Sequence, residues 1–329
     1  MTNRKAKGVG LLSGGLDSTL AAKILQAQDV EVICVTFVTY FFGADPGIKA
    51  GHTLGIPVHV LDIGQKHLEM LKNPVYGYGR QMNPCIDCHG LMLQEAGRFM
   101  AERGADFIFT GEVLGQRPMS QRREALRSVE NLAGYPGRIL RPLSARLLAP
   151  TIPEMEGLID RDRLLDIHGR SRKRQMALAE AYGVTDYPQP GGGCVLTKEG
   201  FGKKLGALLK HFPDAAAREE ELLKWGRHFI LPEGSLCTIG RNETDNNRLE
   251  SLAESTDVLL RVSDYPGPTG LLLPAPHFEK DLELAAMAVS AYSDAPLSAP
   301  AKVAWRHMGN TGVLSLLNPG KDRLKRLQI

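Results

Sequence analysis

The sequence has little of what marks a membrane-spanning, secreted or fibrous protein. Its longest apolar runs, around Val30 to Val38 and Val258 to Val262, fall far short of the roughly 20 residues a membrane helix needs, so no membrane contact is expected. Arg4, Lys5 and Lys7 precede a short apolar stretch, but it runs straight into Ser13-Gly14-Gly15 with no small-residue cleavage site. That stretch reads as a first strand and not as a signal peptide. Cysteines are few and odd in number: Cys34, Cys85, Cys88, Cys194 and Cys237 in 329 residues. A chain of this length needs no disulfide staples, so the thiols are expected to be reduced, liganding or catalytic in a cytoplasmic setting. Charge of one sign is also scarce, since 40 Lys and Arg against 37 Asp and Glu leave +3, too mild a balance to mark a dedicated nucleic-acid binder. There is no internal repeat and no low-complexity segment. With 43% hydrophobic and 23% charged residues, what remains is an ordinary globular chain with room for two cores.

From Gly8 the pattern alternates strand and helix: a buried strand to Leu12, a glycine turn, a helix from about Asp17 to Gln28, and a strand over Val30 to Val38. A helix near Ile48 to Leu54, a strand at Val58 to Leu61, a helix near Glu95 to Arg103 and a strand at Asp106 to Thr110 follow. Repeated units of this kind predict an α/β fold, a doubly wound parallel sheet with helices on both faces. Ligands of such sheets sit at the carboxyl ends of the strands, where the loops Ser13 to Ser18 and Gly111 to Gln121 fall. The composition changes at Pro188-Gln-Pro-Gly-Gly-Gly193. Beyond it, helices at Lys203 to His211, Ala215 to Trp225 and Glu279 to Ala291 mix with short strands at Arg227 to Ile230, Ser235 to Ile239, Val258 to Val262, Gly270 to Leu273 and Lys302 to Arg306. We divide the chain into a first domain over 1–200 and a second, smaller α+β domain over 201–329.

Ser13-Gly14-Gly15-Leu16-Asp17-Ser18 lies between strand and helix, where glycines let the backbone approach an anion and helix amides face it. The plainer reading is a tight turn with Asp17 or Ser18 as helix cap. The string is neither a Walker loop nor a dinucleotide fingerprint. It resembles the pyrophosphate loop of the PP-loop ATP pyrophosphatases, whose fold is of the Rossmann-like HUP type. The resemblance implies that Ser13, Gly14, Gly15, Leu16, Asp17 and Ser18, with Gly111 and Gln116, bind ATP, with Mg2+ as companion and Asp17 orienting it. Thr110-Gly-Glu-Val-Leu-Gly-Gln116, Ser120-Gln121 and Arg141-Pro-Leu143 resemble segments of the tRNA thiouridine synthetases. That resemblance runs from residue 8 to about 198 and begins at the nucleotide loop, so neither an upstream THUMP region nor a rhodanese domain is expected. Glu112, Gln116 and Arg117 are candidate contacts to substrate or nucleotide, with a solvated loop face as the alternative.

Asn83-Pro-Cys85-Ile-Asp-Cys88 puts two thiols on one turn, and Cys194 follows Gly191 to Gly193, glycines that would let a distant loop close over the site. Four readings compete. Zinc needs four ligands, so His89 or Cys237 would have to complete the set. Cys85-Ile-Asp-Cys88-His89 spells a c-type haem attachment string, a chemistry of exported proteins. A persulfide relay would pair one cysteine as sulfur carrier with another that resolves it. A [4Fe-4S] cluster on Cys85, Cys88 and Cys194 would leave one iron open to hydrosulfide. The cluster is preferred, because the placement resembles the cluster-dependent tRNA thiolases; it also resembles the 2-thiouridylases, whose working cysteines align with Cys88 and Cys194. Cys34 and Cys237 are expected to pack structurally.

His168-Gly-Arg170-Ser-Arg172-Lys173-Arg174 is the densest basic cluster, either a solvated helix face or an RNA phosphate contact. The tail Lys321 to Arg326 is expected to fray. Thr238-Ile-Gly-Arg241-Asn242, with Asp257-Val258 and Gly267-Pro-Thr-Gly270, resembles the NFACT-R type of RNA-binding module over about 225 to 325, which implies that Arg241 and Asn242 face RNA. The sequence thus leads to an ATP-dependent tRNA sulfurtransferase that adenylates a uridine carbonyl, with Asp17, Cys88 and Cys194 as catalytic residues and Arg170, Arg172, Lys173, Arg174, Arg241 and Asn242 on the RNA. Its sulfur donor would be hydrosulfide or a persulfide from a cysteine desulfurase. The alternatives are sulfuration or amidation of a small molecule, and an ATP-sensing RNA-binding protein stapled by zinc.

Overall fold

The computed structural model describes residues 4–187 and 194–329. Two compact units divide the chain, Met1–Val195 and Leu196–Ile329.

The first unit runs β1 (Lys7–Leu11), α1 (Leu16–Gln26), β2 (Glu31–Val38), α2 (Asp45–Leu54), β3 (Val58–Asp62), α3 (Gly64–Lys72), α4 (Cys85–Glu102), β4 (Phe107–Phe109), α5 (Arg123–Ala133), β5 (Ile139–Leu140), α6 (Ile152–Met155) and α7 (Lys173–Ala181). Its sheet is parallel in the order β3-β2-β1-β4-β5. Alternation along the strands sorts side chains to two cores. Phe107, Phe109 and Cys34 meet Leu16, Leu20 and Ala179 on one face, while Val9, Val35 and Ile108 meet Leu93, Ala96 and Val129 on the other. Burying both faces explains why β1, β2 and β4 read as near-continuous apolar runs. Strand order reverses between β1 and β4, so the loops after these strands open at the switch point.

The second unit runs α8 (Glu199–His211), α9 (Ala217–Leu222), β6 (Arg227–Ile230), β7 (Leu236–Ile239), α10 (Glu243–Leu252), β8 (Val258–Val262), β9 (Gly270–Leu273), α11 (Glu279–Ala291), β10 (Pro300–His307) and β11 (Asn310–Leu317). Its sheet, β11-β10-β8-β9-β7-β6, is antiparallel throughout. One face packs Val258, Leu260, Leu272 and Val303 against Ala285, Ala288 and Val289 of α11. The second unit is therefore α+β and the first α/β.

Several expectations need correction. The helix expected near Glu95 begins at Cys85, so the cysteine pair forms its first turn. The tail does not fray: Lys321–Leu327 is a 3₁₀ turn with Leu324 3% exposed in the second core, and Ile329 N donates to His228 O at 3.0 Å. Short β5 and the helices α3 and α5 went unread, as did β11, whose residues alternate between half-buried and exposed. Among the described residues no helix is long and apolar enough to cross a membrane. The Pro188 to Gly193 loop lies outside the described residues.

Candidate active site

β1 leads through Ser13-Gly14-Gly15 into α1, with Gly15 as N-cap. Gly14 has φ +77°, and a Cβ there would lie 2.3 Å from the Pro46 carbonyl oxygen, so only glycine fits. Ser13 Oγ lies 3.2 Å from Ser18 Oγ, and the Ser18 hydroxyl donates to Gly15 O at 2.9 Å. Leu16 packs in the core at 1% exposure and offers a ligand only its backbone. The first amides of this helix have no partner within it, and with its dipole they make the start of α1 ready for an anion.

Asp17 is held from two distant elements. Gln116 Nε2 donates to Asp17 Oδ2 at 2.8 Å and Arg172 Nη2 donates to the same oxygen at 3.1 Å, while Gln175 Nε2 donates to Gln116 Oε1 at 3.1 Å. Three buried atoms in this group, Asp17 Oδ1, Arg172 Nε and Gln175 Oε1, have no hydrogen-bond partner among the described residues. Leaving such atoms bare costs about 1–3 kcal/mol each. A bare carboxylate oxygen beside an anion site fits a magnesium ligand, and the bare guanidinium N–H fits a phosphate oxygen.

Gly111, after β4, presses on this loop: a Cβ there would come within 2.4 Å of the Ser18 backbone nitrogen. The next residue, Glu112, is no solvated loop face. It is 6% exposed, and its carboxylate accepts from His89 Nδ1 at 2.9 Å, Arg141 Nε at 3.0 Å and Thr110 Oγ1 at 3.1 Å. Burial pushes the Glu112 carboxyl up, but the Arg141 guanidinium and then His89 outweigh it and hold it down at about 2. Arg141 also pairs with Glu130. Arg117 is exposed.

His89 adjoins Cys88, so the His89–Glu112 bond ties the cysteine turn to the loop that touches Asp17 and Ser18. Asn83 Nδ2 donates to Cys85 Sγ at 3.2 Å. Between the thiols, Asp87 accepts from the backbone amides of Val75 at 2.6 Å and Tyr76 at 3.1 Å. Cys88 Sγ lies 3.4 Å from Nε2 of His67, a fully buried imidazole on α3 that stacks near Phe41 and Phe42. Burial lowers His67 to about 4, so at neutral pH it is uncharged and a neutral partner for the thiol. Burial pushes the Cys88 thiol well up, and nearby Cys194, Cys85 and Asp87 push it further the same way. Cys194, the third thiol of this neighbourhood, is exposed. The loop closure attributed to Gly191 to Gly193 falls outside the described residues.

The five cysteines form no disulfide. Among the described residues no three His, Cys, Asp or Glu side chains are arranged to hold a metal ion, so no cluster site is seen on Cys85, Cys88 and Cys194. Cys34 and Cys237 are buried, and burial raises both to about 12.

The expected RNA contacts divide. Arg170, Lys173 and Arg174 are exposed, with Arg174 paired to Asp166 at 2.6 Å, while Arg172 turns inward to Asp17. In the second unit Asn242 caps α10, its side-chain oxygen accepting from Asp245 N at 2.9 Å, and Arg241 donates to Asp245 through Nε at 2.6 Å and Nη2 at 3.2 Å. Sequence reasoning missed His67 and Gln175, and flagged Arg141 only as part of a resembling segment without its partner. Their partners lie 21 to 59 positions away.

The chain is 31% identical over 175 residues to the tRNA-specific 2-thiouridylase MnmA of Pelobacter propionicus, covering 48% of each. It is 28% identical over 199 residues to the MnmA of Agrobacterium fabrum, covering 53% of this chain and 46% of the relative. Its homologues are tRNA thiouridylases. The match spans about half the length of these relatives. The family of the NFACT protein RNA binding domain matches residues 226–317. Among solved structures, a 4-thiouridine synthetase–RNA complex with bound ATP is similar at 21% identity, covering 54% of this chain and 52% of that one with a TM-score of 0.35.

Proposed function

We propose that the first unit uses ATP to adenylate a uridine carbonyl in tRNA and replaces the oxygen with sulfur, releasing AMP and pyrophosphate, while the second unit grips the RNA. The observation that carries the reading is the linkage Cys88–His89···Glu112–Gly111, which sets the cysteine turn beside the anion-ready start of α1. Oxygen is a poor leaving group, so sulfuration needs an activated carbonyl next to a sulfur nucleophile.

The uridine oxygen attacks the α-phosphorus and pyrophosphate leaves into the α1 amides and the Arg172 guanidinium. Asp17 Oδ1 is the atom that would hold magnesium, which supplies positive charge to the departing phosphates. Exposed Cys194 receives sulfur from a desulfurase-derived persulfide; its terminal sulfur attacks the activated carbon and AMP leaves with the oxygen. Cys88 then attacks Cys194 Sγ, breaking the S–S bond to the substrate sulfur, and its proton goes to the uracil ring nitrogen that was deprotonated on adenylation. The thiocarbonyl is released, and the resulting Cys88–Cys194 disulfide is reset by a dithiol. No step runs through a cluster, since no cluster site is seen among the described residues. Thiols without disulfides suit a reducing compartment, and we assign the reaction to the cytoplasm. Arg170, Lys173 and Arg174 contact RNA phosphates, and so does Arg241.

The test supplies ATP, unmodified tRNA and a persulfide donor to the protein purified without oxygen, and follows AMP, pyrophosphate and sulfur in the tRNA. AMP formation that tRNA does not stimulate would sink the reading. Iron and acid-labile sulfide measured on the same preparation, and lost in Cys194→Ala, would replace the persulfide step with a cluster fed by hydrosulfide.

A further inference from the structure

The second unit buries one face of its sheet under α11 and leaves the opposite face of β8, β10 and β11 open. Register fixes which residues share that face: Ala304 lies opposite Arg261 on one side and Val313 on the other, and Arg306 lies opposite Leu259 and Thr311. Together they line a shallow depression of about 320 Å³. The small side chain of Ala304 makes the pit, with Leu259 and Val313 as apolar floor, and Val313 is 60% exposed. Two strand spacings separate Arg261 from Val313, roughly 9.6 Å, a width that admits one nucleobase.

The charges on this face are of one kind where they are unpaired. Arg261 pairs with Glu250. The guanidinium of Arg306, which faces the Glu250 carboxylate from beyond ion-pair distance, and the ammonium of Lys302, two residues either side of Ala304 on β10, make no hydrogen bond or ion pair among the described residues. They stand roughly 13 Å apart along the strand. An apolar floor the size of a base, flanked by two unpaired cations, is complementary to a flexible polyanion that carries flat, weakly polar rings. Planar guanidinium groups at its rim also stack on bases.

We propose that this open face of β8, β10 and β11 is a binding site for unpaired RNA, a base lying on Leu259, Ala304 and Val313 and its flanking phosphates meeting Arg306 and Lys302. The site is separate from the Gly240–Asn242 turn, and it rests on the reading of the second unit as the RNA grip. All of these residues fall inside the segment that matches an RNA binding domain family.

The experiment measures binding of a short fluorescein-labelled oligouridylate to the full chain by anisotropy over a series of salt concentrations. Two variants are compared after circular dichroism shows that they fold. Arg306→Ala should weaken binding several-fold and lower the slope of log affinity against log salt by about 0.7, the share of one phosphate on a single strand. Ala304→Leu fills the pit without changing charge, so it should weaken binding about tenfold and leave the slope alone. If both variants bind as the wild type does, the inference is overturned while the RNA reading stands. If the wild type binds no RNA at any salt concentration, both fall. If Val313→Glu instead dissolves a dimer seen by sedimentation without RNA, the face belongs to a second copy and the inference is likewise overturned.

Discussion

Two arginine–aspartate pairs sit at helix starts in this protein, and they differ in completeness. In the second unit Asp245 is saturated: Arg241 donates to both its oxygens, and Oδ2 also accepts from the backbone amides of Gly226 and Arg241, each at 3.1 Å. In the first unit Arg172 reaches a single oxygen of Asp17, and one atom on each partner is left bare. A fold has no reason to bury unmet polar atoms, which weaken it. The saturated pair closes a turn around Asp245 and leaves only the half-exposed guanidinium of Arg241 facing outward; the unsaturated pair is built for something that arrives later. Nearly the same two side chains thus carry opposite meanings, and the bare atoms tell them apart.

That contrast can be broken by substitution. Asp17→Ala should lower AMP formation at least about 100-fold, the scale for losing a charged group that acts on the transition state, with thermal unfolding unchanged. Undiminished AMP release would make Asp17 as structural as its counterpart. Acid should expose the surroundings of the saturated pair. His228 is fully buried, and burial, then the charge of Lys204, lowers it to about 3, with Arg241 and Asp245 also facing it. Its folded value is depressed, so the unfolded chain binds the proton first; stability is complete above about pH 6.5 and is lost as pH falls toward 3. On the order of 2 kcal/mol should go between pH 6.5 and 4.5, seen as a falling urea midpoint that is flatter in His228→Gln. Equal slopes in the two proteins would remove His228 from the account. Asp245→Ala should cost the second unit about 2 kcal/mol in urea unfolding, by stranding two backbone amides, while Asp17→Ala should cost less than that. Arg172→Ala should slow AMP formation about tenfold, and a rate equal to wild type would mean that its bare Nε faces no phosphate. Smallest of all, Arg241→Ala should cost under about 1 kcal/mol, because its guanidinium is half-exposed; a larger loss would mean that the turn depends on the ion pair more than on the Asn242 cap.

What the sequence made legible was local. The first strand, the glycine loop and α1 follow each other within 20 residues, and periodicity with turn chemistry is enough to read them. The bounds of β6, β8, β9 and α11 could be read for the same reason. Contacts made across the fold were not legible. Arg172 looked like part of a basic run facing RNA, yet its partner lies 155 positions earlier. Glu112 could be read only as a loop contact to substrate or nucleotide, or as a solvated face, because Arg141, which draws it inward, comes from beyond another helix. His67 lacked any motif, and only the packing of α3 against the cysteine helix brings it to Cys88. The alternation of β11 was too weakly apolar to separate it from coil, since one of its faces meets solvent.

Asp87 has the bearing of a strut. It stands between the two thiols of α4, and its carboxylate carries the amides of Val75 and Tyr76, residues that are 77% and 46% exposed. The chain before the cysteines therefore cannot lift unless the first turn of the helix loosens with it. The amide hydrogens of Val75 and Tyr76 accordingly keep a running record of the thiol turn: their exchange with solvent water reports, residue by residue, whether the sulfur site is closed or open.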